Sequence, residues 1–239
     1  MKSWTRTLNR DDAHDLLSCA EPGLTFADWR TEASPRITHL SPDRQREIFR
    51  ILRNQFLTWT EDQRIAEGLF LGRYHRVPAS VQIQLLDVHW ALTHPIALIA
   101  VRSLLVPAVE SNQLDISLAE LDALVAQHVD SVSSESLRKT RTVLLGALEE
   151  TGALLGRGTG QHRQLKANRT RPHPRVFSYL ILRELQHRGT DAMMRSEAIE
   201  TSEATQFTLC PEDWAAYCVS WAVENRELRA VDDEIGIPG

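Results

Sequence analysis

The stretch Ser133-Ser-Glu-Ser-Leu-Arg-Lys-Thr-Arg-Thr-Val-Leu-Leu-Gly-Ala-Leu-Glu-Glu-Thr-Gly-Ala-Leu-Leu155 decides the fold. Its serines suit a helix N-cap, where a hydroxyl satisfies an otherwise orphaned backbone N–H. Leu137, Thr140, Leu144 and Leu148 recur at three- and four-residue spacing, which predicts a helix from Ser134 to about Glu150 with one buried side. Gly152 is placed to terminate it. Upstream, Ser117-Leu-Ala-Glu120 satisfies a capping box and opens a helix carrying Leu118, Leu121, Leu124 and Val125, and the short turn Val129-Asp-Ser-Val-Ser separates the two helices. Downstream, residues 153–167 read as two short strands around a glycine-rich tip. Helix, tight turn, helix, hairpin is the order of a winged helix-turn-helix.

Outside this segment the apolar spacing is again mostly helical. Ser41-Pro42-Asp43 supplies an N-cap, a proline at the first helical position and an acid in the first turn. Ile48, Ile51, Leu52 and Phe56 form the inner stripe of that helix, while Arg46, Arg50 and Arg53 share an outer, second basic face. Further helices are expected over Glu61–Leu71, Pro78–Leu92 and Pro95–Val106, the last apolar nearly all round and therefore central. A helix from Val176 to about His187 is followed by a polar loop. The last helix starts at Cys210 and carries the core stripe Trp214, Tyr217, Cys218 and Trp221; a small hairpin after Leu228 ends the chain. No internal repeat is visible. The expected fold class is thus mainly α: an N-terminal helical bundle (1–110), a winged helix-turn-helix-like module with a short β-hairpin (111–175), and C-terminal helices with a short hairpin packing on the rest (176–239).

The 239 residues carry 27 Lys+Arg against 32 Asp+Glu, a formal net charge of −5, which excludes a uniformly basic nucleic-acid binder. Distribution matters more than the total. Residues 157–175 hold Arg157, Arg163, Lys166, Arg169, Arg171 and Arg175 and no acid, for +6, whereas residues 196–239 hold ten acids and two arginines, for −8; the remainder then carries −5 − 6 + 8 = −3. Clustered cations are what a line of phosphates selects, because neutralising them releases counterions. The expected interface with double-stranded DNA therefore joins this wing, with His162 at its tip and His173 adding partial charge, to Ser134, Arg138, Lys139 and Arg141 of the adjoining helix.

Chemistry of other kinds finds little support. Cys19, Cys210 and Cys218 are dispersed and form no CxxC, so reduced thiols in a cytoplasmic protein are expected. No phosphate loop, dinucleotide fingerprint, HExxH or GxSxG is present. His162 and His173 have no Cys or carboxylate between them, so no metal site is expected. Asp11-Asp12-Ala-His14-Asp15 gathers acids and a histidine, but these fit the first turn of a helix equally well. No catalytic residue and no cofactor is therefore expected. The N-terminus lacks the apolar core of a secretory signal, and the run from Pro95 is too short for a membrane span, so no membrane partner is expected.

The order of these features resembles the small BrxA component of bacterial BREX phage-exclusion systems. The residues that carry the likeness are the Ser-rich cap and Lys/Arg-bearing helix of 133–155, its Leu-x-Glu-x-Gly-x-Leu-Leu exit into a hairpin, and the Trp214–Trp221 helix running into Arg229-Ala-Val. The C-terminal half carries the resemblance, and the N-terminal half shares only architecture. The resemblance implies a non-enzymatic, helical, DNA-binding accessory protein working beside a methyltransferase, an ATPase and other large subunits. The acidic C-terminal segment is a departure. Two alternatives remain open on the residues alone: a protein-interaction adapter whose basic wing docks on an acidic partner, and an RNA-binding helical protein using Arg46, Arg50 and Arg53.

Overall fold

The computed structural model describes residues 8–129, 133–158 and 163–238. It is mainly helical, 62% helix against 11% strand, and the strands fall into small separate sheets. The chain divides between Thr93 and His94 into two units, so the apolar segment beginning at Pro95 belongs with the C-terminal residues.

In the first unit, α1 (Arg10–Leu17), α2 (Phe26–Ala33), α3 (Pro42–Gln55), α4 (Leu69–Tyr74) and α5 (Ala79–Leu92) surround a core that includes Trp29, Phe49, Leu52, Tyr74 and Leu85. The expected cap at the start of α3 is present: Ser41 Oγ accepts from the Arg44 N–H, and Pro42 occupies the first helical position. The helix expected over Glu61–Leu71 is not formed. Instead β1 (Thr58–Trp59) pairs with β2 (Ile65–Ala66), and α4 begins only at Leu69. The reason is local. Thr60 Oγ1 donates to the Asp62 carboxylate and accepts from the Arg64 N–H, so short polar side chains satisfy the backbone in a turn and outcompete the helix.

The second unit opens with α6 (Pro95–Ala100), which passes through a π-helical turn (Val101–Leu105) into α7 (Val106–Glu110). Then come β3 (Asp115–Ile116), α8 (Leu118–His128), α9 (Ser134–Glu150), β4 (Leu154–Arg157) and β5 (Gln164–Ala167). The capping box of α8 is complete, with Ser117 and Glu120 each bonding the other's backbone N–H. The chain leaves α9 at Gly152, whose φ of 78° is easy only for glycine. All three strands pair antiparallel in the order β3-β5-β4. Ile116, Leu165 and Leu154 turn one face of this sheet into the core with Leu121, Leu144 and Leu148. Each such buried side chain contributes roughly 1.5–3 kcal/mol.

The remaining elements are α10 (Pro174–Arg188), β6 (Ala192–Met194), α11 (Arg195–Glu200), α12 (Glu203–Thr208), α13 (Glu212–Glu224), β7 (Arg229–Val231) and β8 (Glu234–Gly236). The terminal hairpin is present as expected, but the preceding polar loop contributes β6, and the sheet order is β6-β8-β7. The same topology therefore occurs twice in this unit: helix, strand, helices, hairpin, with the last strand central. No sequence repeat marks it, because Ile116 and Leu165 fill in one sheet the role that Met193 and Ile235 fill in the other. The two halves pack within the unit through the π-turn and α12, where Arg102 Nε donates to Gln206 Oε1 at 3.0 Å.

Candidate nucleic-acid interface

Helix α9 sets the geometry. Ser133, not Ser134, is its cap: the Ser133 hydroxyl accepts from the Ser136 N–H at 3.3 Å, and Ser134 stands exposed as the first helical residue. Thr140, Val143, Leu144, Ala147 and Leu148 are buried, which fixes the opposite face, carrying Glu135, Arg138, Lys139 and Thr142, toward solvent. Lys139 pairs with Glu135 one turn back at 2.7 Å, and this contact holds the Glu135 carboxyl below its ordinary range. Both groups are exposed, so the pair exchanges readily for another anion. Arg138 makes no hydrogen bond or ion pair through its guanidinium among the described residues.

Arg141 behaves differently. It grips both oxygens of Asp122 at 2.9 and 2.7 Å and ties α9 to α8. Fixed fork geometry makes such a contact specific, and it removes Arg141 from the pool of free cations.

The hairpin sorts its cations by the alternation of the strands. Leu155 and Arg157 of β4, Gln164 and Lys166 of β5, and Asp115 of β3 all stand exposed on the open face. Lys166 lies between Asp115 and Leu155 in register, while Arg157 lies opposite Gln164. Neither cation has an ion-pair partner among the described residues. Arg163 points the other way. Its guanidinium bonds both oxygens of Glu149 near the end of α9, and the pair lies over Gly156. A side chain at 156 would run into that carboxylate, so this glycine serves a close approach within β4 and not the hairpin tip. His162 lies outside the described residues.

Beyond the hairpin Arg171 and Arg175 are held by packing contacts, while Arg169 has no ion pair among the described residues. Arg169 is exposed but lines a cavity of about 420 Å³ together with Glu110, Glu200, Glu212 and Asp213. The Arg171 guanidinium lies 5.5 Å from the Trp214 ring centre, and Arg175 pairs with Glu227 at 3.4 Å and lies against Trp221. His173 caps α10, its Nδ1 accepting the Arg175 N–H. Partial burial, helped by Arg175, depresses its pKa. A neutral ring that accepts at Nδ1 adds no charge to the basic segment.

Arg46, Arg50 and Arg53 do share the outer side of α3: Arg46 pairs with Asp43, Arg50 is exposed, and Arg53 stacks over Phe26 and Trp59. Arg30 of α2 joins them around a cleft, a neighbour that spacing along one helix does not reveal.

The acids and histidine near the N-terminus are used in the fold. Asn9 caps the Asp11 and Asp12 N–H groups, Asp12 accepts from His39 at 3.0 Å, and His14 Nδ1 lies 2.5 Å from the Tyr74 hydroxyl. The three cysteines are buried and unpaired; burial pushes the Cys210 and Cys218 thiols up to about 12. Among the described residues no single helix is long and apolar enough to cross a membrane.

Comparison with protein-family models, with characterised proteins and with solved structures gives no match to this chain.

Proposed function

We propose that residues 111–175 act as a winged helix-turn-helix-like module that binds duplex DNA, and that the chain is a non-enzymatic accessory protein of a BREX-like phage-defence system. One observation carries the DNA reading. Arg138 of α9 and Arg157 and Lys166 of the hairpin stand exposed without an ion-pair partner among the described residues, while Arg141, Arg163 and Arg175 nearby are neutralised by carboxylates. Unneutralised cations on a helix and its adjacent hairpin suit phosphates flanking one groove. Lys139 joins them by exchanging its exposed Glu135 partner for a phosphate. The place in a defence complex, beside a methyltransferase and an ATPase, rests on the resemblance of the 133–155 segment.

The DNA reading is tested by duplex binding across a salt series. Arg138→Ala, Arg157→Ala and Lys166→Ala should each lower the salt slope by about one, the signature of one lost phosphate contact. Salt-insensitive binding, or unchanged affinity in the triple variant, removes it. The defence reading is tested by co-purification with a methyltransferase and an ATPase of such a system, and fails if neither is retained.

A further inference from the structure

In the first unit, Phe26 and Arg30 lie one turn apart on α2, and Arg46, Phe49, Arg50 and Arg53 follow at three, four and seven residues along α3. Together with Asn54 these residues enclose a cleft of about 330 Å³. That is within the roughly 300–1,000 Å³ typical of ligand sites. Four guanidinium groups therefore line one concavity, and no carboxylate is among the lining residues. The two acids on α3 are already engaged, Asp43 with Arg46 and Glu47 with Arg44 at 2.9 Å. Arg30 and Arg50 are exposed, with no ion pair among the described residues.

The floor of the cleft is rigid and aromatic. Phe26 meets Phe49, Trp29 and Trp59 edge-on, with ring centres 6.3, 5.9 and 6.2 Å apart. The Arg53 guanidinium lies over two of these rings, 4.8 Å from the Phe26 centre and 5.3 Å from the Trp59 centre. These contacts hold the guanidinium against the rings, and its Nη2 also donates to Gln63 Oε1 at 3.4 Å, which leaves further donors for an anion. Like charges converging on one cavity repel each other unless an anion sits between them, and planar forks recognise phosphate oxygens in pairs. A guanidinium held on aromatic rings beside exposed arginine forks is the pairing that single-stranded nucleic acid uses, a flat surface for a base and cations for the backbone. A duplex offers no free base face, because its bases are stacked and paired.

We propose that the cleft lined by Phe26, Arg30, Arg46, Phe49, Arg50 and Arg53 binds a single-stranded nucleic acid, with phosphates on Arg30 and Arg50 and a base on the Arg53 plane. This site lies in the other unit from the hairpin and stands or falls separately from the duplex reading.

The test uses the full chain and short fluorescent single-stranded DNA and RNA oligonucleotides, each as a separate arm, with duplex DNA and a nucleoside monophosphate for comparison. Arg30→Ala/Arg50→Ala should weaken binding of at least one single strand by about tenfold or more, as expected for losing two charge-assisted contacts, and leave duplex binding unchanged. Arg30→Lys/Arg50→Lys, which keeps the charge but not the fork, should fall between the two. Both positions are exposed, so circular dichroism and thermal midpoint should match wild type. The proposal is overturned if neither single strand binds, if the Ala variant binds as wild type does, if the Arg157→Ala/Lys166→Ala variant abolishes single-strand binding instead, or if the monophosphate binds as tightly as the strand.

Discussion

Arg163 and Glu149 meet over the α-carbon of Gly156, so a residue in the hairpin, a residue at the end of α9 and the strand between them form one clamp. The two charged side chains are only about a third and a quarter exposed. Gly156→Ala would push the carboxylate away, and since that carboxylate is the tip of a flexible side chain, the cost is the clamp and not the backbone. Gly156→Ala and Arg163→Ala should therefore each destabilise the protein by about 1 kcal/mol, and the double variant by little more than either single one, because both remove the same interaction. Denaturant midpoints of the four proteins check this; additive losses would show the clamp to be incidental.

Arg138 and Arg141 lie one turn apart on α9, yet opposite outcomes are expected for them. Arg141→Ala breaks the two contacts to Asp122 that join α8 and α9, and should cost up to about 1 kcal/mol of stability with little change in the salt slope of DNA binding. Arg138→Ala should leave the thermal midpoint in place and flatten that slope by about one. If both residues changed only stability, the exposed side of α9 would not be meeting phosphate.

His173 gives the fold a dependence on pH. Its depressed pKa means that the unfolded chain takes up a proton near the ordinary value of 6.5 while the folded chain resists it. Its contribution to stability is thus present above 6.5 and is lost as pH falls through the lowered folded value. His173→Asn keeps a side-chain acceptor at the cap of α10 but does not titrate. The variant should match wild type near pH 7.5 and lose less stability than wild type as pH falls below 6.5, which urea titrations at several pH values would show.

Which of these features a reader of the sequence can find depends on how far apart the partners lie. Caps involve residues two or three apart, so Ser41, the Ser117–Glu120 box and the Gly152 exit are legible directly. The hairpin of β4 and β5 is legible because its alternation and its glycines are local. Strands β3 and β6 are not, since two or three residues become strand only by pairing with residues far along the chain, Ile116 with Leu165 and Met193 with Ile235. The same distance hides the fate of the cations. A run of arginines reads as uniformly basic, but Arg141 finds Asp122 on the preceding helix and Arg175 finds Glu227 near the end of the chain. The cleft in the first unit shows this most clearly, because Arg30 and Arg50 come together only once α2 and α3 pack.

Glu184 closes a buried network in the second unit: Arg188 and the Glu203 N–H both donate to it, the latter at 2.7 Å, and its side chain is 2% exposed. Burial is the dominant influence and raises its pKa above the ordinary 4.5, against the opposing pull of the Glu203 N–H and Arg188. A raised carboxyl pKa favours the folded state most when the group is protonated, so this contribution is present below pH 4.5 and is lost as pH rises through the folded value. Gln at 184 does not ionise, yet its carbonyl still accepts from the Glu203 N–H. The stability of wild type relative to Glu184→Gln should therefore decline as pH is raised from 4 toward 7, a range to be covered by urea titrations of both proteins. A buried carboxylate whose desolvation exceeds its attraction to an exposed arginine behaves in this way. A difference that grew with pH would mean that the Arg188 contact outweighs burial and holds the carboxylate charged.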